Sequence, residues 1–216
     1  LFQILVRRAA RGLKNTTLTI TDDGEYDFES DVVSKNQLRR CAEMAAQERG
    51  SARQALRYLG GAASIADGKG ADRIKDEHIH QSEREVRQEF VHEILTDHTE
   101  DDLLAFTGVL WCEAVGASPA KTNQIHNHYS SVCSALDERT KVQRRMTERL
   151  KDLDLTGVVN MRKEIGGQPG GEDYVIDLAL PFEDTLDVMQ HEEPFTDKFA
   201  SVIQEIRDNA HINGRL

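Results

Sequence analysis

The feature that most constrains this chain is a change of hydrophobic period at Gly157. Before it, apolar residues recur at helical spacing in three short runs. After it, they recur at every second position. The first run opens on Thr99 and Asp102, the form of a capping box, with an acid three residues after the cap. It continues through Leu103, Leu104, Thr107, Leu110, Trp111 and Ala114, and Gly116 and Pro119 end it. The second carries Ile125, Tyr129, Val132, Cys133 and Leu136, with a turn at Asp137 and Glu138. The third carries Val142, Met146, Leu150 and Leu153 up to Gly157. VVNMRKEI (158–165) then reads as a strand and GGQPGG (166–171) as a flexible tip. In YVIDLAL (174–180), Tyr174, Ile176, Leu178 and Leu180 share one strand face. Three short helices closed by a Gly-rich hairpin predict a winged helix-turn-helix over 99–181, in a chain that is mainly α with a small β wing.

Charge is distributed in a way that suits this reading. The chain carries a net charge of −11, the wrong sign for a nucleic-acid binder. Residues 139–163 reverse that sign: eight cations (Arg139, Lys141, Arg144, Arg145, Arg149, Lys151, Arg162 and Lys163) face three acids (Glu148, Asp152 and Asp154), for a local +5. The positive run covers the third helix and the first wing strand, which a helix-turn-helix presents to DNA. With Val142, Met146 and Leu150 expected in the core, Lys141, Arg144, Arg145 and Glu148 are expected to face outward. Arginine suits both guanine edges and phosphates. The expected DNA-contacting residues are Arg139, Thr140, Lys141, Gln143, Arg144 and Arg145 on the third helix and its approach, Arg162 and Lys163 on the strand, and Gly167 and Gln168 at the tip. The tip glycines would let backbone approach a minor groove closely. The competing reading is a solvated basic helix face and a loose turn.

The N-terminal half reads as helical. Leu1–Leu13 suits a helix, and 15–32 is polar, acidic and Gly-interrupted, a loop or short extended piece. Ser34 looks like an N-cap for a helix with a stripe of Leu38, Cys41, Ala42 and Ala45. Ser51 starts another, with Leu56, Leu59, Ala63 and Ala66 on one face, stopping at Gly68-Lys69-Gly70. Residues 75–95 form a long charged helix with Ile79, Val86, Phe90 and Ile94 as its apolar side.

Several function classes find no support. No apolar run approaches the roughly 20 residues of a membrane span, and the N-terminus has the wrong order for a secretory signal. Cys41, Cys112 and Cys133 form no C-x-x-C pair and are expected to be reduced, buried thiols in the cytoplasm. His78-x-His80 and His126-x-His128 look like metal pairs, but i and i+2 point apart on a helix, so they read as surface histidines and no metal site is expected. No G-x-x-x-x-G-K-S/T phosphate loop and no G-x-S-x-G elbow is present. Only 9 lysines stand against 18 arginines, and an acidic, lysine-poor chain fits high intracellular salt.

GSARQALRYLGGAASIA (50–66) resembles the G-x-x-R-x-A-L stretch in the AAA+ lid of archaeal origin-recognition and cell-division-cycle type replication initiators, here of haloarchaeal character. LFQILVRRA (1–9) resembles the first lid helix of that family, and RTKVQRRMTERLKDLDLTGVVN (139–160) its winged-helix recognition segment. The resemblance reaches about residue 181 and implies a helical AAA+ lid over 1–97 and a DNA-binding winged helix over 99–181; the remaining residues, 182–216, read as an acidic C-terminal tail, helical around 195–208. It implies that Arg53 is the sensor-2 arginine reaching nucleotide phosphates, and that Arg8 contacts bound ATP. An arginine fork can serve such a phosphate. It further implies duplex DNA at replication origins as partner, with full-length initiator paralogues or the replicative helicase beside it. The family's ATPase core would precede residue 1, and the first residue is not Met, so a truncated or split product or a fragment is expected. No autonomous ATP hydrolysis is expected, and ATP or ADP with Mg²⁺ is expected only where that core is present. Two other functions stay open: a winged-helix transcriptional regulator, and an interaction module that no longer binds DNA and modulates a full-length initiator.

Overall fold

A computed structural model describes residues 1–20, 26–48, 51–164 and 174–216. The chain divides into two compact units, Leu1–Val86 and Arg87–Leu216. The first contains α1 (Phe2–Gly12), β1 (Thr16–Ile20), β2 (Tyr26–Ser30), α2 (Lys35–Glu48), α3 (Ala52–Gly68) and the first half of α4 (Asp76–Thr96). Residues expected as a loop or short extended piece thus include two paired antiparallel strands, with Leu18 opposite Phe28. Ser34 caps α2 as its sequence suggested. The Gln37 N–H donates to Ser34 Oγ at 3.2 Å, and the Ser34 N–H donates to Gln37 Oε1 at 2.9 Å.

The first core gathers Leu5, Val6 and Ala9 from α1, Phe28 from β2, and Leu38, Cys41 and Ala45 from α2. Alpha 3 turns a slightly different face inward than its spacing suggested. Ala55, Tyr58, Leu59, Ala62 and Ala66 are buried, whereas Leu56 and Ala63 are only partly so. Tyr58, the bulkiest side chain on that face, sets the centre of the buried arc.

The second unit is built on α5 (Glu100–Ala114), which is buried over most of its circumference. Thr99 and Asp102 make the capping box that the sequence announced. Against α5 lie α6 (Thr122–Ala135) and α7 (Gln143–Thr156). Gly108 allows the approach of α6: a Cβ there would stand 2.9 Å from the Ile125 carbonyl oxygen. Alpha 7 ends at Gly157, whose φ of 79° is left-handed and open to glycine, and the Val158 N–H closes back on the Leu153 carbonyl.

A three-stranded antiparallel sheet follows, from β3 (Ala120–Lys121), β4 (Val159–Lys163) and β5 (Tyr174–Leu178), in the order β3-β5-β4. Ile176 pairs with Ala120 on one side and Met161 on the other, and its side chain is buried. The two wing strands match the expectation, while β3, two residues long, is too short to leave a period in the sequence.

The segment 182–216, expected as an acidic tail with a helix around 195–208, forms α8 (Phe182–His191) and, over the expected stretch, α9 (Thr196–Ile212). Most of its acids face water, but Asp184 is buried against Arg87, and Leu186, Met189, Phe195, Phe199, Val202, Ile203 and Ile206 join the second core. Val91 and Leu95 from the last turns of α4 join it too, which is why the compact division falls at Val86 and not at residue 97.

Candidate nucleic-acid interface

The basic run folds as its sequence position implied, onto α7, the loop before it and β4. Met146, Leu150 and Leu153 are buried and anchor α7. Arg139, Thr140, Gln143, Arg144, Arg145, Arg162 and Lys163 are exposed. Arg144 and Arg145 have side chains 89% and 68% exposed, and both pair with Glu148, through Arg144 Nε at 3.5 Å and Arg145 Nη1 at 2.9 Å. The Arg145 hydrogen bond, with Arg144 nearby, holds the Glu148 carboxyl below its usual range. Gly167 and Gln168, the two candidate tip residues, lie outside the described residues.

One expectation needs correction. Val142 was placed in the core; it is 68% exposed and is the N-cap of α7 rather than a member of it. Lys141, expected to face outward, keeps 41% of its side chain exposed but is held at three points. Its backbone N–H donates to Tyr129 Oη at 3.2 Å, the His126 ring meets its carbonyl through Nε2 at 3.0 Å, and its ammonium pairs with Asp101. Val142 has the extended backbone of a cap, φ −60° and ψ 150°, so the helical stripe of Met146 and Leu150 does not reach back to it. Burial pushes Tyr129 up to about 12, so its phenol stays neutral in this role.

The clamp belongs to a larger arrangement. Three successive acids open α5, and each meets a different cation. Glu100 pairs with Lys198 of α9, Asp101 with Lys141, and Asp102 with Arg149 of α7 at 3.5 Å. Asp102 is nearly buried; one carboxylate oxygen accepts the Thr99 N–H at 3.0 Å and the other faces Arg149. Lys198 also reaches Glu138, which fixes the turn between α6 and α7. Burial works against the Lys198 charge, but the hydrogen bonds to Glu100 and Glu138 outweigh it and raise its pKa. Acids in the first turn also sit favourably at the positive end of the α5 dipole.

On β4, Arg162 pairs with Asp177 of β5, which also accepts from Asn160 at 2.9 Å. Folding thus sets Asp101, Asp102 and Asp177 against the run, and its local charge falls from +5 to +2. None of these pairings could be read from spacing, since Lys141 and Asp101 lie 40 residues apart. Among the cations, Arg139 is exposed and carries no ion pair among the described residues.

Alpha 7 also lacks a side-chain cap. Valine is among the poorest N-cap residues, and Ser, Thr, Asp or Asn there would stabilise the helix by about 1 kcal/mol. The first-turn N–H groups of α7 therefore have no acceptor from the cap side chain, a state that suits a phosphate oxygen.

In the first unit, Arg8 is exposed on α1 and Arg53 is exposed at the second residue of α3. Neither is ion-paired among the described residues, so both guanidinium forks are open to an anion. The histidine pairs part company with their reading as surface groups. His78 is buried and its Nδ1 accepts the Lys75 N–H at 3.2 Å, while His80 is exposed. His128 stacks on Trp111 with 5.7 Å between ring centres, and burial lowers its pKa. No group of three metal-ligating side chains is found among the described residues. The three cysteines are free and buried, and burial pushes Cys41 up to about 11 and Cys112 to about 12. Among the described residues no helix is long and apolar enough to cross a membrane.

The sequence matches two family models, the Cdc6 AAA+ ATPase-type lid domain over residues 24–84 and the CDC6 C-terminal winged helix domain over residues 103–188. The first includes Arg53 and leaves Arg8 outside. The chain is 29% identical over 198 residues to ORC1-type DNA replication protein 1 of Haloarcula marismortui, covering 92% of this chain and 46% of that protein. It is 31% identical over 177 residues to ORC1-type DNA replication protein 10 of Halobacterium salinarum, covering 81% of this chain and 40% of that protein. Among solved structures, the ORC1 protein of Aeropyrum pernix in complex with DNA superposes with a TM-score of 0.62 at 26% identity, over 80% of this chain and 44% of that one. The chain thus spans less than half the length of these relatives. A lid followed by a winged helix, each matched in sequence and seen as a fold, places the chain in the family of archaeal ORC1-type DNA replication initiators.

Proposed function

We propose that the second unit binds duplex DNA at replication origins, with α7 in the major groove and the β4–β5 wing along the neighbouring backbone. The observation that carries this reading is the exposed face at the start of α7, where Gln143, Arg144 and Arg145 stand on a helix anchored from below and Arg139 on the clamped loop that leads into it. The relative from Aeropyrum pernix, solved in complex with DNA, supports the same use of the fold. Arg144 and Arg145 serve phosphates or guanine edges, Thr140 and Gln143 lie beside them, and Arg162 and Lys163 serve the backbone from the wing. Gly167 and Gln168 remain the candidates for the wing tip.

The first unit contributes nucleotide sensing where the rest of a full-length initiator supplies an ATPase core. Arg53 and Arg8 are the residues that would hold phosphate oxygens there, and their open guanidinium groups suit that task. A bound nucleotide with Mg²⁺ would supply the switch between states. Full-length paralogues and the replicative helicase are the protein partners this reading expects, in the cytoplasm.

Double replacement of Arg144 and Arg145 by Ala tests the DNA-binding face, with affinity compared on origin repeats and on random duplex. If Arg139, Arg144, Arg145, Arg162 and Lys163 each meet one phosphate, a fourfold rise in salt weakens binding by roughly 500-fold. The double variant lowers the salt exponent from about 4.5 to about 2.7, and weakens binding roughly 60-fold near 0.1 M salt if the electrostatic gain vanishes near 1 M. Unchanged binding removes both arginines from the interface. The interaction-module reading has one observation in its favour, the three acids folded against the basic run. It predicts no footprint on any duplex.

A further inference from the structure

Val142 is the feature that the DNA-binding face leaves unexplained. An apolar side chain 68% exposed, in the middle of Arg139, Thr140, Gln143 and Arg144, gains nothing from folding. The same position costs α7 its cap. Two local rules are broken at one residue, and breaks of this kind concentrate where a side chain meets a ligand.

Its surroundings remove the reading of a loose loop residue. Lys141 is fixed by Tyr129, His126 and Asp101, and Met146 and Arg145 N–H groups both close on the Val142 carbonyl, at 3.2 and 2.9 Å. Valine itself is stiff about χ1. The methyl pair is therefore presented at the start of α7 at little further entropic cost on contact. The residues flanking it are cations and hydrogen-bonding groups, which suit a polyanion and not an apolar protein groove. The one apolar group that duplex DNA displays in its major groove is the thymine 5-methyl.

We infer that Val142 is a specificity-determining residue that packs against a thymine 5-methyl in the major groove, at the leading end of α7. The inference rests on the DNA-binding reading above and deepens it. It also answers a problem of charge. Phosphate contacts fade as salt rises, whereas burial of a methyl against a methyl does not. A chain that is acidic overall, with its basic run reduced to +2, gains most from a contact of that kind.

The test starts from duplexes that the full chain retains from a random-sequence pool. Thymines of the retained duplex are replaced singly by uracil, which lacks only the 5-methyl. At one or two positions the change weakens binding about fourfold, the worth of one buried methyl. That ratio holds while salt is raised and overall affinity falls. Val142→Ala binds the thymine duplex as the unaltered chain binds the uracil duplex, and no longer separates the two. Val142→Ser is equally blind to the methyl but restores a cap, and its Tm rises by about 2–4 °C, which keeps loss of folding out of the result. If no uracil replacement matters, or if both variants keep the full discrimination, the inference is overturned while duplex binding stands. If the chain retains no duplex at low salt, the DNA-binding reading falls and the inference falls with it.

Discussion

The two ends of α7 are built on opposite principles. At its C-terminal end the helix is tied down, even though Leu155 beside the stop is 85% exposed: Leu150 and Leu153 are fully buried, Gly157 supplies the left-handed stop, and the Asp154 carboxylate accepts the Met161 N–H at 2.8 Å to tie helix to wing. At its N-terminal end the rules are broken. A valine stands where a cap belongs, arginines crowd outward, and order comes from elsewhere, through Lys141, Tyr129 and the acids of α5. One end holds the helix to the protein, and the other is held ready for something outside it. The difference teaches that exposure alone does not mark a contact surface; exposure maintained against local preference, by distant groups, does.

This division can be broken by moving one end without the other. Leu150→Ala should cost about 2–5 kcal/mol of stability, read as a lowered denaturation midpoint, and leave the salt exponent of DNA binding unchanged. A changed exponent would mean that the two ends are not separable. Gly157→Ala, which forces a Cβ into left-handed backbone, should cost about 1–2 kcal/mol by the same measurement and again spare DNA affinity.

Asp101→Asn addresses the other end. It releases the Lys141 ammonium, and near 0.1 M salt affinity for duplex should rise by up to about eightfold, with the salt exponent steeper by about 0.9. Both partners are more than a third exposed, so thermal stability should fall by no more than about 1 kcal/mol. Weaker binding would show instead that the clamp matters more than the freed charge.

The smallest effect is that of Glu148. Its pKa is depressed in the folded protein, so its attraction to Arg145 and Arg144 is fully present above the ordinary glutamate pKa and is lost only as pH falls through the lower, folded value. Affinity for duplex should stay level as pH falls through the usual glutamate range, and tighten a little below it. Glu148→Gln should abolish that dependence, as followed by fluorescence anisotropy across pH.

What could be read from sequence follows from the range of the interactions concerned. The cap at Ser34, the capping box at Thr99, the glycine stop at 157 and the period-2 face of β5 are local, and each was legible. The outward direction of Arg144 and Arg145 follows from helical spacing off Met146 and Leu150, and was legible too. Val142 was misplaced because spacing extends a stripe backward without knowing where the helix begins. The ion pair of Lys141 was not legible because its partner lies on another helix, and His78 was misread because a buried imidazole with a backbone donor leaves no pattern. Alpha 9 was legible as a helix around 195–208 of the acidic tail, whereas surface charge hid α8 and the inward stripe of Leu186, Phe199, Val202 and Ile206.

That last stripe has a consequence for anyone who would treat the winged helix as a portable module. Phe199, Val202, Ile203 and Ile206 of α9 seal a side of α5 that α6 and α7 do not cover. A graft cut at residue 181 would carry the whole DNA-facing surface and still present a raw apolar seam along its central helix. The smallest transplantable piece of this architecture is therefore defined by its back and not by its working face, and it runs through Ile212.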